Sequence, residues 1–338
     1  MVEMIAMVIP AQGGKLVRET RSLPEPGPGE VRLRVQACGV CHSDSIAVEG
    51  HMPGVSWPRI PGHEVIGTVD ALGPNVEGFT VGQRVGVGWH SGQCGHCTQC
   101  RHGNAFACQN VQDVTGVYRD GGYATHMLAR ANALARVPEG LDSVEAAPLL
   151  CAGITTFNAI RHSGAKPGDL VAVLGVGGLG HLAIQYAAKQ GFRTVAIARG
   201  RDKEALAREL GAADYVDSNA EDPAEALLKL GGATAIIATV TAAEAMSAAA
   251  GGLAPNGTFM IIGATGPMTI DPLNLLMKRA AMKGWYSGTS VDSEDALNFS
   301  LLENIASMNE VYPLEQAQEA YDRMMSGKAR FRVVLKVD

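Results

Sequence analysis

"VAVLGVGGLGHL", residues 171–182, is the stretch that decides the fold. A β-type run stops at Gly175, and glycines then stand as G-x-G-x-x-G at Gly175, Gly177 and Gly180, with Gly178 and Leu179 completing the turn. A helical pattern follows at once: Leu179, Leu182, Ala183, Tyr186 and Ala187 recur at helical spacing as far as Gly191, a natural stop. Strand, glycine turn and helix start form a dinucleotide cradle. The first glycine permits the tight turn, the second lets the backbone approach a pyrophosphate, and the third lets helix and strand pack closely.

Working outward, β-type runs alternate with helical patterns from 150 to 285. The runs are Leu170–Leu174, Thr194–Ala198, Asp214–Asp217, Ala235–Thr239, Thr258–Ile262 and Ala281–Trp285. This alternation predicts an α/β domain with a doubly wound parallel sheet over 150–285. Residues 1–149 read differently: short β-type runs such as "VRLRV", "VIGTVDAL" and "RVGVGW" lie between Gly- and Pro-rich turns, which predicts a β-rich domain. The tail, 286–338, has a helix near Leu314–Met325 and a strand near Phe331–Val337, and is expected to return to the first domain.

The chain has 338 residues, 46% of them hydrophobic and 18% charged, enough for a large core. Its net charge of −6 is dispersed, which argues against nucleic-acid or membrane partners. The opening "MVEMIAMVIP" has no basic leader and stops at Pro10, so a cytoplasmic protein without a targeting segment is expected. Seven cysteines, an odd number without an export signal, point to thiols used as metal ligands or nucleophiles.

Four of these thiols lie in "QCGHCTQCRHGNAFACQ", residues 93–109, where Cys94, Cys97, Cys100 and Cys108 have the spacing C-x2-C-x2-C-x7-C. Such a set suits a closed, structural zinc site, with an iron–sulfur centre or four unrelated thiols as the alternatives. Cys41 opens "CHSD", and His63 and Glu64 follow in "PGHEVIG". Cys41, His63 and Cys151 can supply the Cys2His set of an open, catalytic zinc, with Asp44 as acceptor for the imidazole N–H. Taken alone, a histidine beside a glutamate such as His63 is more often an ordinary hydrogen-bonded residue.

The strand after the glycine turn ends "TVAIARGRDK", residues 194–203, with Ala198 where an NAD site usually has a carboxylate. Arg199, Arg201 and Lys203 follow, and a guanidinium there can pair with a 2′-phosphate. NADP(H) is therefore favoured over NAD(H), the alternative.

Together, "GVCHSD", "PGHEVIG", the four-cysteine loop, "CAGITTFNA" and "GVGGLG" resemble the zinc-dependent medium-chain alcohol dehydrogenases, and Cys in "CAGITT" resembles their microbial tetrameric branch. The resemblance implies a GroES-like catalytic domain, a Rossmann domain and a homo-oligomer, tetramer or dimer. It also implies two zinc ions per chain: catalytic zinc on Cys41, His63 and Cys151 with Glu64 behind it, and structural zinc on the other four cysteines. Ser43 is implied to take the proton of an alcohol substrate, His42 and Arg332 to contact the pyrophosphate, and Thr155 to sit beside the nicotinamide. Cys38 matches no ligand.

One departure is Ile46, where many relatives carry a relay histidine; His51 is the nearby imidazole. The activity implied is hydride transfer between a small alcohol or aldehyde and the nicotinamide cofactor. A non-catalytic sensor of zinc and dinucleotide is the competing class. Trp57 and Trp89 read as either pocket walls or core.

Overall fold

The computed structural model describes residues 2–263 and 266–337, which separate into two compact units. One comprises the chain up to Ile154 together with Ser287 onward, and the other is Thr155–Tyr286. The first unit opens with strands β1 (Glu3–Val8), β2 (Val17–Ser22), β3 (Glu30–Val40), β4 (Val65–Leu72), β5 (Arg84–Val87), β6 (His126–Arg130) and β7 (Leu134–Arg136). The second holds β8 (Leu170–Leu174), β9 (Arg193–Ala198), β10 (Asp214–Asp217), β11 (Ala233–Ala238), β12 (Leu253–Ile261) and β13 (Ala281–Gly284). The chain then supplies β14 (Asn309–Pro313) and β15 (Arg332–Lys336) to the first unit.

In the second unit all six strands are parallel, in the order β10-β9-β8-β11-β12-β13. This is the doubly wound sheet expected from the alternation. Its central strands β8 and β11 read as near-continuous apolar runs because both faces are covered, whereas the edge strands β10 and β13 are more polar or exposed. Ala172, Leu174, Val195 and Ile197 enter one buried cluster, while Val173 and Ala196 enter another with Ala183 and Ile184 of helix Gly180–Lys189. Each fully buried Val, Leu or Ile side chain contributes about 1.5–3 kcal/mol.

In the first unit the sheet order is β14-β15-β3-β4-β5-β7, with β6 also on β3. Its core gathers Val31, Leu33 and Val35 of β3, Val65 and Val69 of β4, and Val333 and Leu335 of β15. The alternating burial of β3 is what a half-covered strand requires. A helix the sequence reading did not name, Ser290–Glu303, starts at a capping box formed by Thr289 and Asp292. Among the described residues no single helix is long and apolar enough to cross a membrane.

The glycine turn after β8 is where the second unit is tightest. A Cβ on Gly180 would stand 1.9 Å from the carbonyl oxygen of Gly175 and 3.2 Å from Thr239 Oγ1. Thr239 in turn donates to the carbonyl of Leu174 at 2.9 Å. Gly180→Ala therefore forces the turn open, at a cost of about 1–3 kcal/mol. Scanning calorimetry should show a lower unfolding temperature for this variant, with weaker dinucleotide binding by fluorescence titration.

Candidate metal centres and dinucleotide turn

Cys41 ends the path of β3 and caps a short 3-10 turn, His42–Asp44. His63 and Glu64 immediately precede β4, and Cys151 follows the 3-10 helix Ala147–Leu150. Three distant segments thus converge. One ligand atom from each of Cys41, His63, Glu64 and Cys151 lies within 4.8 Å of all the others. The two sulfurs are 3.9 Å apart and unbridged, close to the roughly 3.8 Å separating thiolates around one tetrahedral zinc at about 2.3 Å.

His63 is fully buried, and its Nδ1 lies 2.9 Å from Asp44 Oδ1. A carboxylate only accepts, so Nδ1 carries a proton, and Nε2 is the nitrogen that would give its lone pair to a metal in place of a second proton. Nε2 is buried with no hydrogen-bond partner, an expensive arrangement unless a cation takes that lone pair. The donors present therefore fit a zinc ion. The rings of Trp89 and His63 are perpendicular, with centroids 4.9 Å apart.

The local electrostatics follow from burial. The hydrogen bond from Cys151 and the proximity of His63 hold the Cys41 thiol well below its ordinary range, against desolvation. Its partner Cys151 is pushed well up, first by that same shared hydrogen bond and then by burial. Burial opposes protonation of His63, but the Asp44 carboxylate raises its pKa well above that of an ordinary imidazole. Glu64 is pushed up to about 8 by desolvation, partly offset by Arg332. Arg332, buried on β15, donates from Nη2 to Glu64 Oε1, and its Nε has no hydrogen-bond partner.

The other implied residues are placed as follows. Ser43 is half-buried and His42 exposed, both in the turn after Cys41. His51 is exposed and pairs with Glu49 at 3.0 Å, and Ile46 is half-buried. Trp57 donates to the carbonyl of Ala47 at 2.9 Å and packs on the core, which is the core reading of that residue. Cys38 is fully buried.

Cys94, Cys97, Cys100 and Cys108 form a second cluster, also within 4.8 Å of one another. Backbone amides point at the sulfurs: Cys97 to Cys94 at 3.4 Å, Gln109 to Cys97 at 3.5 Å and Val111 to Cys108 at 3.3 Å. Such donors favour thiolates. They hold Cys97 down at about 6, the Cys100 amide first among them, whereas desolvation and neighbouring Cys97 push Cys100 up to about 12. Four sulfurs would fill the four corners of a tetrahedral ion held here, leaving it no open position.

In the second unit, nothing lies within 4 Å of where a Cβ on Gly177 would stand, and this open backbone suits the approach of a pyrophosphate. Lys203 Nζ donates to the carbonyl of Val176 at 2.7 Å, tying the loop after β9 to the glycine turn. Arg201 is exposed and pairs with Glu204 at 3.3 Å, and Arg199 is exposed. Ala198 is paired in register with Asp217, whose carboxylate accepts from the amides of Gly200 and Asn219 at 2.7 and 2.9 Å. Thr155, buried, begins this unit.

Comparison with known proteins agrees with this construction. Residues 27–139 match the alcohol dehydrogenase GroES-like domain, and residues 178–302 match the zinc-binding dehydrogenase domain. The alcohol dehydrogenase notN of an Aspergillus strain is 44% identical over 326 residues, 96% of each chain. An alcohol dehydrogenase of Geobacillus stearothermophilus is 38% identical over 318 residues, 93% of this chain and 94% of that one. The acetophenone reductase of Geotrichum candidum, solved with NAD, superposes with a TM-score of 0.86 at 26% identity, covering 99% of this chain and 97% of that one.

The fold and the donor sets define a zinc-binding dehydrogenase. The chain belongs to the zinc-dependent medium-chain alcohol dehydrogenases, enzymes that use zinc and a nicotinamide dinucleotide on small alcohols. The four-cysteine cluster yields a direct expectation. Cys100→Ser should lose about one equivalent of zinc and speed amide exchange across residues 93–111, read by metal analysis and hydrogen-exchange mass spectrometry.

Proposed function

We propose that this enzyme is an NADP(H)-using alcohol dehydrogenase and aldehyde reductase with two zinc ions per chain. Cys41, His63 and Cys151 would hold the catalytic ion, and Cys94, Cys97, Cys100 and Cys108 the structural one. The observation that carries the catalytic assignment is His63 Nε2, buried without a hydrogen-bond partner among two thiols and a carboxylate.

When bound, zinc supplies Lewis acidity to the substrate oxygen and the nicotinamide exchanges hydride with the adjacent carbon. The protein's own part is placement and proton handling. Asp44 holds the His63 ring by its Nδ1–H, and Glu64, paired with Arg332, lends a partly neutralised carboxylate behind the ligand set. Ser43 Oγ, two residues past Cys41, takes the hydroxyl proton during oxidation and returns it during reduction. Ile46 passes no proton onward and His51 is paired with Glu49 at the surface, so the relay from Ser43 ends at water or another group. The turn Gly175–Gly180, Thr155 and His42 orient the cofactor.

The acid-free strand end at Ala198, the exposed Arg199 beside it and the engagement of Asp217 with two amides support NADP(H). NAD(H) is the second reading, because Arg201 and Lys203 already have protein partners. Exposed Leu273, Leu276 and Met277, on the helix that precedes edge strand β13, support a homo-oligomer.

Two measurements test this reading. Cys41→Ser should abolish NADPH-dependent reduction across a panel of aldehydes while leaving NADPH binding within a few-fold, and an active variant would overturn the catalytic assignment. Ala198→Asp should move the NADPH-to-NADH ratio of kcat/KM toward NADH by about tenfold or more. An unchanged ratio refutes the cofactor assignment.

A further inference from the structure

The network around His63 extends one residue beyond Asp44. Tyr123 is fully buried, and its hydroxyl donates to Asp44 Oδ2 at 2.9 Å. The same oxygen accepts from the Cys41 amide at 2.9 Å, while Oδ1 accepts from His63. Asp44 is 1% exposed, so these three donors take the place of water, and each restricts the rotation of the carboxylate.

The backbone brings Tyr123 to this point on purpose-built small residues. The amides of Gly121, Gly122 and Tyr123 donate to the carbonyls of Ile60, Gly62 and Pro61 at 2.7, 3.0 and 3.0 Å, docking the segment on the strand of chain that ends in His63. A Cβ on Gly62 would stand 2.5 Å from Tyr123 Cδ1, and one on Gly121 would stand 2.1 Å from the Gly62 carbonyl oxygen. Phenol and imidazole therefore reach the same carboxylate from one rigid frame.

We propose that Tyr123 is a positioning residue for the metal ligand His63: its hydroxyl orients the Asp44 carboxylate, which aims the imidazole Nε2 at the ligand set. The inference rests on the reading of Cys41, His63 and Cys151 as the catalytic zinc site. It acts through Asp44, so removing the hydroxyl loosens the ligand without removing it, an effect of about tenfold on metal retention.

The test uses the full-length holoenzyme and Tyr123→Phe, which keeps the ring. Zinc release to a chromogenic chelator should become about tenfold faster for one of the two ions, and the visible spectrum of the cobalt-substituted enzyme should shift. In an Asp44→Asn background, Tyr123→Phe should add no further change. Release and spectrum equal to wild type overturn the inference. An equal fall in unfolding temperature for metal-free and metal-loaded forms also overturns it, since that is a packing defect. Cys41→Ser separates the two levels: if it too releases zinc at the wild-type rate, the site reading fails. If it alone releases zinc fast, only the role of Tyr123 fails.

Discussion

One buried carboxylate organises the first unit. Asp44 has no water to solvate it, so its oxygens must be met by protein donors, and the donors that do so come from the turn after β3, the approach to β4 and the segment ahead of β6. An ionised carboxylate left unsatisfied in that position costs several kcal/mol. Three stretches of chain are thereby fixed around one point, and Cys41 and His63, twenty-two positions apart, face a common centre as a result. Aligning Nδ1 with Asp44 leaves Nε2 committed to the opposite side of the ring.

The two donor clusters solve different physical problems. Around Cys94–Cys108 the chain has little apolar mass, half the residues are exposed, and amide-to-sulfur hydrogen bonds hold the loop to its own thiols. A closed tetrahedral ion would supply such a loop with the cross-link that a core would otherwise provide. Around Cys41 the donors are already buried, and Glu64 stands among them, paired with Arg332 across a separation of 268 residues. The guanidinium offsets the negative charge that two thiolates and a carboxylate would otherwise accumulate in a dry site.

How much of this could be read from the sequence depended on how locally each feature is encoded. The parallel strands were legible because a strand covered on both faces must be apolar throughout; β8, for instance, runs as predicted from Leu170 to Leu174. Strand β11 begins at Ala233, two residues before the predicted start, beyond an irregularity in its pairing with β12. Helix Ser290–Glu303 escaped notice because its buried face is built of Ser293, Ala296 and Ser300 around the single large Leu297, and only the Thr289–Asp292 cap marked its start. The tight cysteine spacing was readable by itself, whereas Cys151 could be offered beside Cys41 and His63 only as a leftover thiol, no spacing linking it to them, until the family resemblance added its weight. Tyr123 and the Glu64–Arg332 pair left no local signature. The close glycines at 121 and 122 were the available hint, since they signal two backbones in contact without naming the side chain that profits.

The bond from Lys203 to the carbonyl of Val176 has a consequence for anyone redesigning this protein. It couples the loop after β9 to the glycine turn after β8, the two segments proposed above to take the ribose and the diphosphate. Transplanting a foreign ribose loop that lacks an ammonium at this place would unfasten the neighbouring hairpin of glycines, and a swap meant to alter selectivity would weaken affinity for both coenzymes alike.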